Sequence, residues 1–232
     1  MKVSSVFITG TDTEVGKTVV SAILGLAYKM QGINIGYFKP VQSGAKGYIP
    51  PDAKFCQEIL DLNISPEKLC AYIFEPPVSP HLAAKWAGIE IDPQYILEYY
   101  QKLKNKYDAL IVEGAGGLLV PLKNNFFMRD LIIMLKLPLI IVARPGLGTI
   151  NHTLLTLECA RNAGINILGI IINRAPLKPN PMIEDNIKTI ANMGNIKILA
   201  VIPEIPLEKK KLIEVAKNID LGGINEIEQK RN

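Results

Sequence analysis

Residues 3–18, VSSVFITGTDTEVGKT, decide how the rest of this chain is read. Val6, Phe7 and Ile8 form the short β-branched and aromatic run of a buried strand, and an amphipathic run follows over residues 19–30. Between them lie polar and glycine residues that end in Gly16-Lys17-Thr18. A strand, a turn and a helix in that order are the setting of a phosphate-binding loop. Backbone N–H groups at the helix start point at the phosphates, and the helix dipole adds positive potential there. In such a loop Lys17 reaches the β- and γ-phosphates and the Thr18 hydroxyl holds Mg²⁺. The generic spacing wants a glycine at position 11, where this chain has Thr11, with Gly10 one step earlier.

The length of 232 residues suits one domain, 1–232, that buries roughly 70–75% of its unfolded surface. A net charge of +4 with scattered lysines suits phosphorylated or carboxylate ligands and gives no reason to expect nucleic acid. Lys209-Lys210-Lys211, the one basic cluster, reads as a solvated helix face. Cys56, Cys70 and Cys159 lack metal-ligand spacing and read as buried thiols in a reducing compartment. With only His81 and His152, both read as structural, a zinc site or a Ser-His-Asp triad is not expected. The chain enters its first strand without a signal peptide, and the longest apolar run, residues 131–143, is broken by Lys136 and Pro138. The expectation is a cytoplasmic protein without membrane contact.

Further along, Gly32 ends the first helix, and residues 35–38 read as a second strand that delivers Lys39, Ser43 and Gly44 at its carboxyl end. Ligands of open α/β sheets bind outside those ends, which makes this a second site segment. Asp52 opens a helix over residues 52–60, either as its N-cap or as a carboxylate serving Mg²⁺. Residues 65–86 read as irregular, with Ser79-Pro80-His81 starting a short helix, and residues 93–106 as a helix. A third strand over residues 108–112 ends in Glu113-Gly114-Ala115-Gly116-Gly117. A carboxylate at such a place marks a Mg²⁺ ligand in phosphate-loop enzymes, and the glycines let backbone approach a ligand. Strands at 139–143, 167–172 and 196–202 and helices at 151–162 and 180–193 complete the alternation. The start of the first of these helices is a ready anion site. The fold class is therefore α/β: a parallel sheet of about seven strands, covered by helices on both faces, with the suspect residues gathered at strand ends.

GTDTEVGKT (10–18), KPVQSG (39–44), SPH (79–81), VEGAGG (112–117) and LGTINHTLLT (147–156) resemble dethiobiotin synthetase, within the P-loop NTPase superfamily. The likeness runs from the first strand to Pro203. It includes the loop variant with Thr11. The resemblance implies a ligase of biotin synthesis that closes a cyclic urea on 7,8-diaminopelargonic acid with CO₂ and MgATP, through a carbamate and a carbamic–phosphoric anhydride. It implies catalytic roles for Lys17 and Lys39, and Mg²⁺ held by Thr18, Asp52 and Glu113. Thr13, Glu14, Val15, Gly16, Gly114, Ala115 and Gly116 would line the nucleotide together with Lys17 and Thr18. Asn173, Arg174, Pro203, Glu204 and Ile205 would lie around the base. Thr11, Lys39 and Ser43 would touch the substrate, and Gly148, Thr149, Ile150 and Asn151 would receive its carboxylate tail across a homodimer interface.

Two other readings compete. An amide ligase of cobyrinate type carries a further glutaminase domain for which this chain has no room. A partitioning ATPase of the switch type places a lysine where this chain has Asp12.

Overall fold

The computed structural model describes residues 5–178 and 180–221; Val3 and Ser4 of the opening stretch and the ends of the expected 1–232 domain lie outside them. Apolar residues run almost continuously along the central strands and their side chains point to opposite faces in turn, so each strand feeds two cores, one above and one below the sheet. In chain order the elements are β1 (Val6–Gly10), α1 (Lys17–Met30), β2 (Ile35–Gln42), α2 (Pro51–Ile59), β3 (Cys70–Ile73), α3 (Pro80–Trp86), α4 (Pro93–Lys104) and β4 (Ala109–Glu113). They continue with β5 (Pro121–Lys123), β6 (Phe126–Phe127), α5 (Met128–Leu135), β7 (Leu139–Ala143), α6 (Thr149–Asn162), β8 (Ile167–Ala175), α7 (Pro181–Gly194), β9 (Ile198–Pro203) and α8 (Lys209–Ala216). Seven strands make one parallel sheet in the order β3-β2-β4-β1-β7-β8-β9; β5 and β6 form a separate antiparallel hairpin.

The two cores separate by residue parity. Val6, Ile8, Ile35, Tyr37, Ile111, Ile140 and Val142 point to the layer of α1, α2 and α8. Phe7, Phe38, Leu110, Val112, Leu139 and Ile141 point to the layer of α3 to α7. Helix α1 is buried along most of its length, and Leu60 rests on it at Gly25, where a Cβ would come within 2.8 Å of the leucine methyls. Helix α8 docks on the same face through Leu212 and Ala216, with Lys209 bonded to Asp61. Its lysine run is thus half-buried at Lys209 and exposed at Lys210 and Lys211.

Several expectations are corrected. Strand β2 runs four residues further than read, so Lys39 lies inside the strand: the parallel partner β3 prolongs its pairing. That partner lies in the stretch read as irregular, because its four residues CAYI give no alternation long enough to register. The strand read at 139–143 is β7 as expected, and the apolar residues before it belong to α5, with a turn at Lys136 (φ 54°) between them. Strand β8 includes Asn173 and Arg174 rather than ending before them. Cys159 is half-buried, unlike Cys56 and Cys70, and His81 is exposed on α3 rather than packed.

Phe7 lies fully buried on the central strand. Phe7→Ala is expected to cost about 3–5 kcal/mol of stability in urea denaturation, since a ring-sized cavity opens between β1 and the α5 layer.

Candidate active site

The loop between β1 and α1 turns on two left-handed residues, Glu14 (φ 56°) and Gly16 (φ 89°). Only glycine fits at 16: a Cβ there would lie 2.0 Å from the Asn173 amide nitrogen. Strand β8 braces this conformation from below. Asn173 Nδ2 donates to the Val15 carbonyl at 2.9 Å and Arg174 donates to the Glu14 carbonyl at 3.0 Å. On the other side Thr11 N donates to the Val142 carbonyl at 2.9 Å. The hollow so formed faces the N-terminus of α1, whose first N–H groups have no helical partner. Lys17 folds back over it and donates to the Asp12 carbonyl at 3.1 Å.

Beside the hollow lies a group of charges that the sheet order brings together. Strands β2 and β4 are neighbours, and Phe38 pairs with Val112, so Lys39 and Glu113 follow side by side on the α1/α2 face. The Lys39 ammonium, 3% exposed, is 2.7 Å from Asp52 Oδ2 and 2.7 Å from Glu113 Oε1, and it donates to the Gly114 carbonyl at 3.2 Å. Thr18 donates to the same Glu113 oxygen at 2.9 Å. Asp52 stands in the first turn of α2 while Pro50 takes the N-cap position, so its carboxylate serves Lys39 rather than the helix end.

Burial shapes the protonation of this group. Lys17 is pushed down from its usual 10.5 to about 8, first by burial and then by the positive charge of Lys39, with Glu113 and Asp52 pulling weakly the other way. For Lys39 burial acts downward too, but Glu113 and Asp52 with their hydrogen bonds outweigh it and hold the ammonium well above its usual range. Asp52 shows the mirror image: burial alone would raise it, and Lys39 more than reverses that.

A cleft of about 750 Å³ joins these parts, lined by Thr13, Glu14, Gly16, Lys17, Thr18, Lys39, Ser43, Asp52, Glu113, Ala115, Gly116 and Arg174. Residues 77–80 form its far wall, a role that the sequence reading did not assign to them. Thr11 and Asp12 line an adjoining recess of about 500 Å³ with His152 and Leu155 of α6. Val15 is buried under the loop, and Gly114 contributes its carbonyl to Lys39. Pro203, Glu204 and Ile205 lie apart from the cleft, in a groove between β9 and α8, tied to β8 by Glu204 N donating to the Ala175 carbonyl. Gly148, Thr149, Ile150 and Asn151 at the start of α6 line neither cavity within one chain.

A protein-family profile described as an AAA domain matches residues 4–211. The ATP-dependent dethiobiotin synthetase BioD of Methanococcus vannielii is 46% identical over 198 residues, covering 85% of this chain and 92% of that protein. The chain belongs to the dethiobiotin synthetase family. Its Bacillus velezensis relative of the same name is 37% identical over 228 residues, 97% of this chain and 98% of that protein. That of Methanocaldococcus jannaschii is 43% identical over 214 residues, 88% and 98%.

Solved structures of lower identity share the fold of this family member. The septum site-determining protein MinD of Pyrococcus horikoshii, complexed with Mg-ADP, matches 98% of this chain and 96% of its own at 20% identity and a TM-score of 0.57. A putative plasmid partition protein of Borrelia burgdorferi bound to AMPPNP covers both chains fully at 17% identity and a TM-score of 0.60.

The lowered pKa of Lys17 has a direct consequence. Phosphate oxygens placed against Lys17 would favour the charged ammonium, so the bound site would hold its proton to higher pH than the free site. MgATP binding between pH 8 and 9 is expected to take up a proton, seen as a buffer-dependent enthalpy in titration calorimetry, and affinity falls as pH rises through about 8. Lys17→Met should abolish the uptake.

Proposed function

We propose that this chain makes dethiobiotin from 7,8-diaminopelargonic acid, CO₂ and MgATP, with release of ADP and phosphate. The observation that carries this reading is the buried Lys39 ammonium, held by Asp52 and Glu113 at the edge of a phosphate loop, in a chain of the dethiobiotin synthetase family. One substrate amine adds to CO₂ to give a carbamate, whose oxygen attacks the γ-phosphorus and displaces ADP. The second amine then attacks the carbonyl carbon of the mixed anhydride, phosphate leaves, and the cyclic urea closes with loss of protons to solvent.

The reacting nucleophiles belong to the substrate, so the protein's part is positioning and charge neutralisation. Lys17 pairs with the β- and γ-phosphate oxygens, and the loop amides from Thr13 to Thr18 surround them. Lys39 offsets the negative charge of the carbamate and of the phosphoryl group in transfer. Thr11 and Ser43 border the space left for the diamine. The Asp52 and Glu113 carboxylates meet at the Lys39 nitrogen and the Thr18 hydroxyl bonds Glu113 Oε1, a hard-oxygen donor set that would suit Mg²⁺. Bound there, Mg²⁺ would neutralise charge on the phosphates. Among the described residues no group of three or more His, Cys, Asp or Glu is placed to hold a metal ion.

The reading includes Asn173, Arg174, Pro203, Glu204 and Ile205 around the nucleotide base. It also includes a homodimer in which Gly148, Thr149, Ile150 and Asn151 receive the carboxylate tail from the partner. The exposed leucines Leu119, Leu147 and Leu155 around α6, with Leu147 86% exposed, support that interface. Among the described residues no helix is long and apolar enough to cross a membrane, and the reading is that of a cytoplasmic enzyme.

Phosphate release from MgATP with bicarbonate, measured with and without the diamine, tests the function. Release that requires the diamine, with dethiobiotin formed in step, is expected; release indifferent to it would leave a plain ATPase. Lys39→Ala should lower turnover by on the order of 10²–10³ in a protein that stays folded but is destabilised by about 3–5 kcal/mol, and turnover equal to the parent would remove its role.

A further inference from the structure

Tyr37 takes no part in the site as described so far, and its sequence context reads as one more strand residue. On β2 it lies two residues before Lys39 on the same face, paired with Ile111, two residues before Glu113. The side chain is fully buried, and its hydroxyl donates to Glu113 Oε2 at 2.9 Å. A phenol hydroxyl in an apolar layer is costly unless it is paired, and a phenylalanine would fill the same space. The two oxygens of Glu113 are thereby divided: Oε2 is held inward by Tyr37, while Oε1 takes Thr18 and Lys39. The terminal torsion of a glutamate is broad, so without the inward bond the carboxylate could turn either oxygen to the cleft or share both. Beside them buried Cys56 donates its thiol to the Thr18 carbonyl at 3.6 Å.

We propose that Tyr37 is a positioning residue that anchors Glu113 Oε2 in the core and presents Oε1 to the metal–nucleotide site. The inference rests on the reading of Glu113 as a Mg²⁺ ligand. Outer partners of metal ligands are worth about 10–100-fold in metal affinity.

The experiment measures ADP affinity by calorimetry, with Mg²⁺ and with EDTA, for the parent, Tyr37→Phe, Glu113→Gln and the double variant. The ratio of the two affinities is the gain due to metal. Tyr37→Phe is expected to shrink that gain by about tenfold or more while leaving ADP affinity in EDTA unchanged. In the Glu113→Gln background it should add nothing further, since it acts through that carboxylate. A gain within about twofold of the parent in Tyr37→Phe, alongside a reduced gain in Glu113→Gln, would leave Tyr37 a packing residue and overturn the inference. So would a full additional loss in the double variant, or a Tyr37→Phe protein too unstable to bind ADP. A Glu113→Gln gain equal to the parent's would instead remove Glu113 from the metal site, and this inference with it.

Discussion

The buried ammonium of Lys39 between two carboxylates is the contact on which this structure depends. It joins β2, β4 and α2 in one ion group, and through Thr18 it joins α1 as well. Charges out of water are tolerable only in such company, and removing one member of a buried pair costs about 3–5 kcal/mol because the other is left uncompensated. Here Lys39 and Glu113 are almost wholly enclosed, whereas Asp52 keeps 29% of its side chain exposed toward the cleft. The charges therefore stand at the boundary between core and solvent, where a desolvated ligand feels them most strongly.

The phosphate loop depends on the sheet in a different way. Its left-handed Glu14 carries backbone strain, and the bonds from Asn173 and Arg174 hold the loop from a strand that is not a sheet neighbour of β1. One lysine is pushed toward neutrality and the other is locked in its charged form. The difference comes from partners alone: both are buried, but only Lys39 has carboxylates in contact. The partition and septum-site proteins share this sheet at 17–20% identity, while the dethiobiotin synthetases share its sequence, so function follows the residues around the loop rather than the fold.

Much of this was legible in the chain. Residues 3–18 announce strand, loop and helix, and the apolar runs that end in Lys39 and Glu113 mark where a parallel sheet presents ligands. What escaped were features without local periodicity or motif. The edge strand Cys70–Ile73 is too short to show a pattern, and the extension of β2 follows from pairing with it. The bond of the Asn173 amide to the loop from beneath crosses 158 residues, and no spacing rule encodes it. Tyr37 looked like filling for a strand.

The sequence by itself determined most of the element types, the alternation that makes the sheet parallel and double-faced, and the identity of the lysines, carboxylates and glycines at the strand ends. These follow from local sterics and from a period that each segment carries within itself. Only the tertiary structure decided which of those ends meet: that β2 and β4 lie side by side, that Asp52 turns to Lys39 rather than capping its helix, and that Tyr37 reaches Glu113. Those pairings depend on strand order and burial, which are properties of the whole packed chain and of no segment alone.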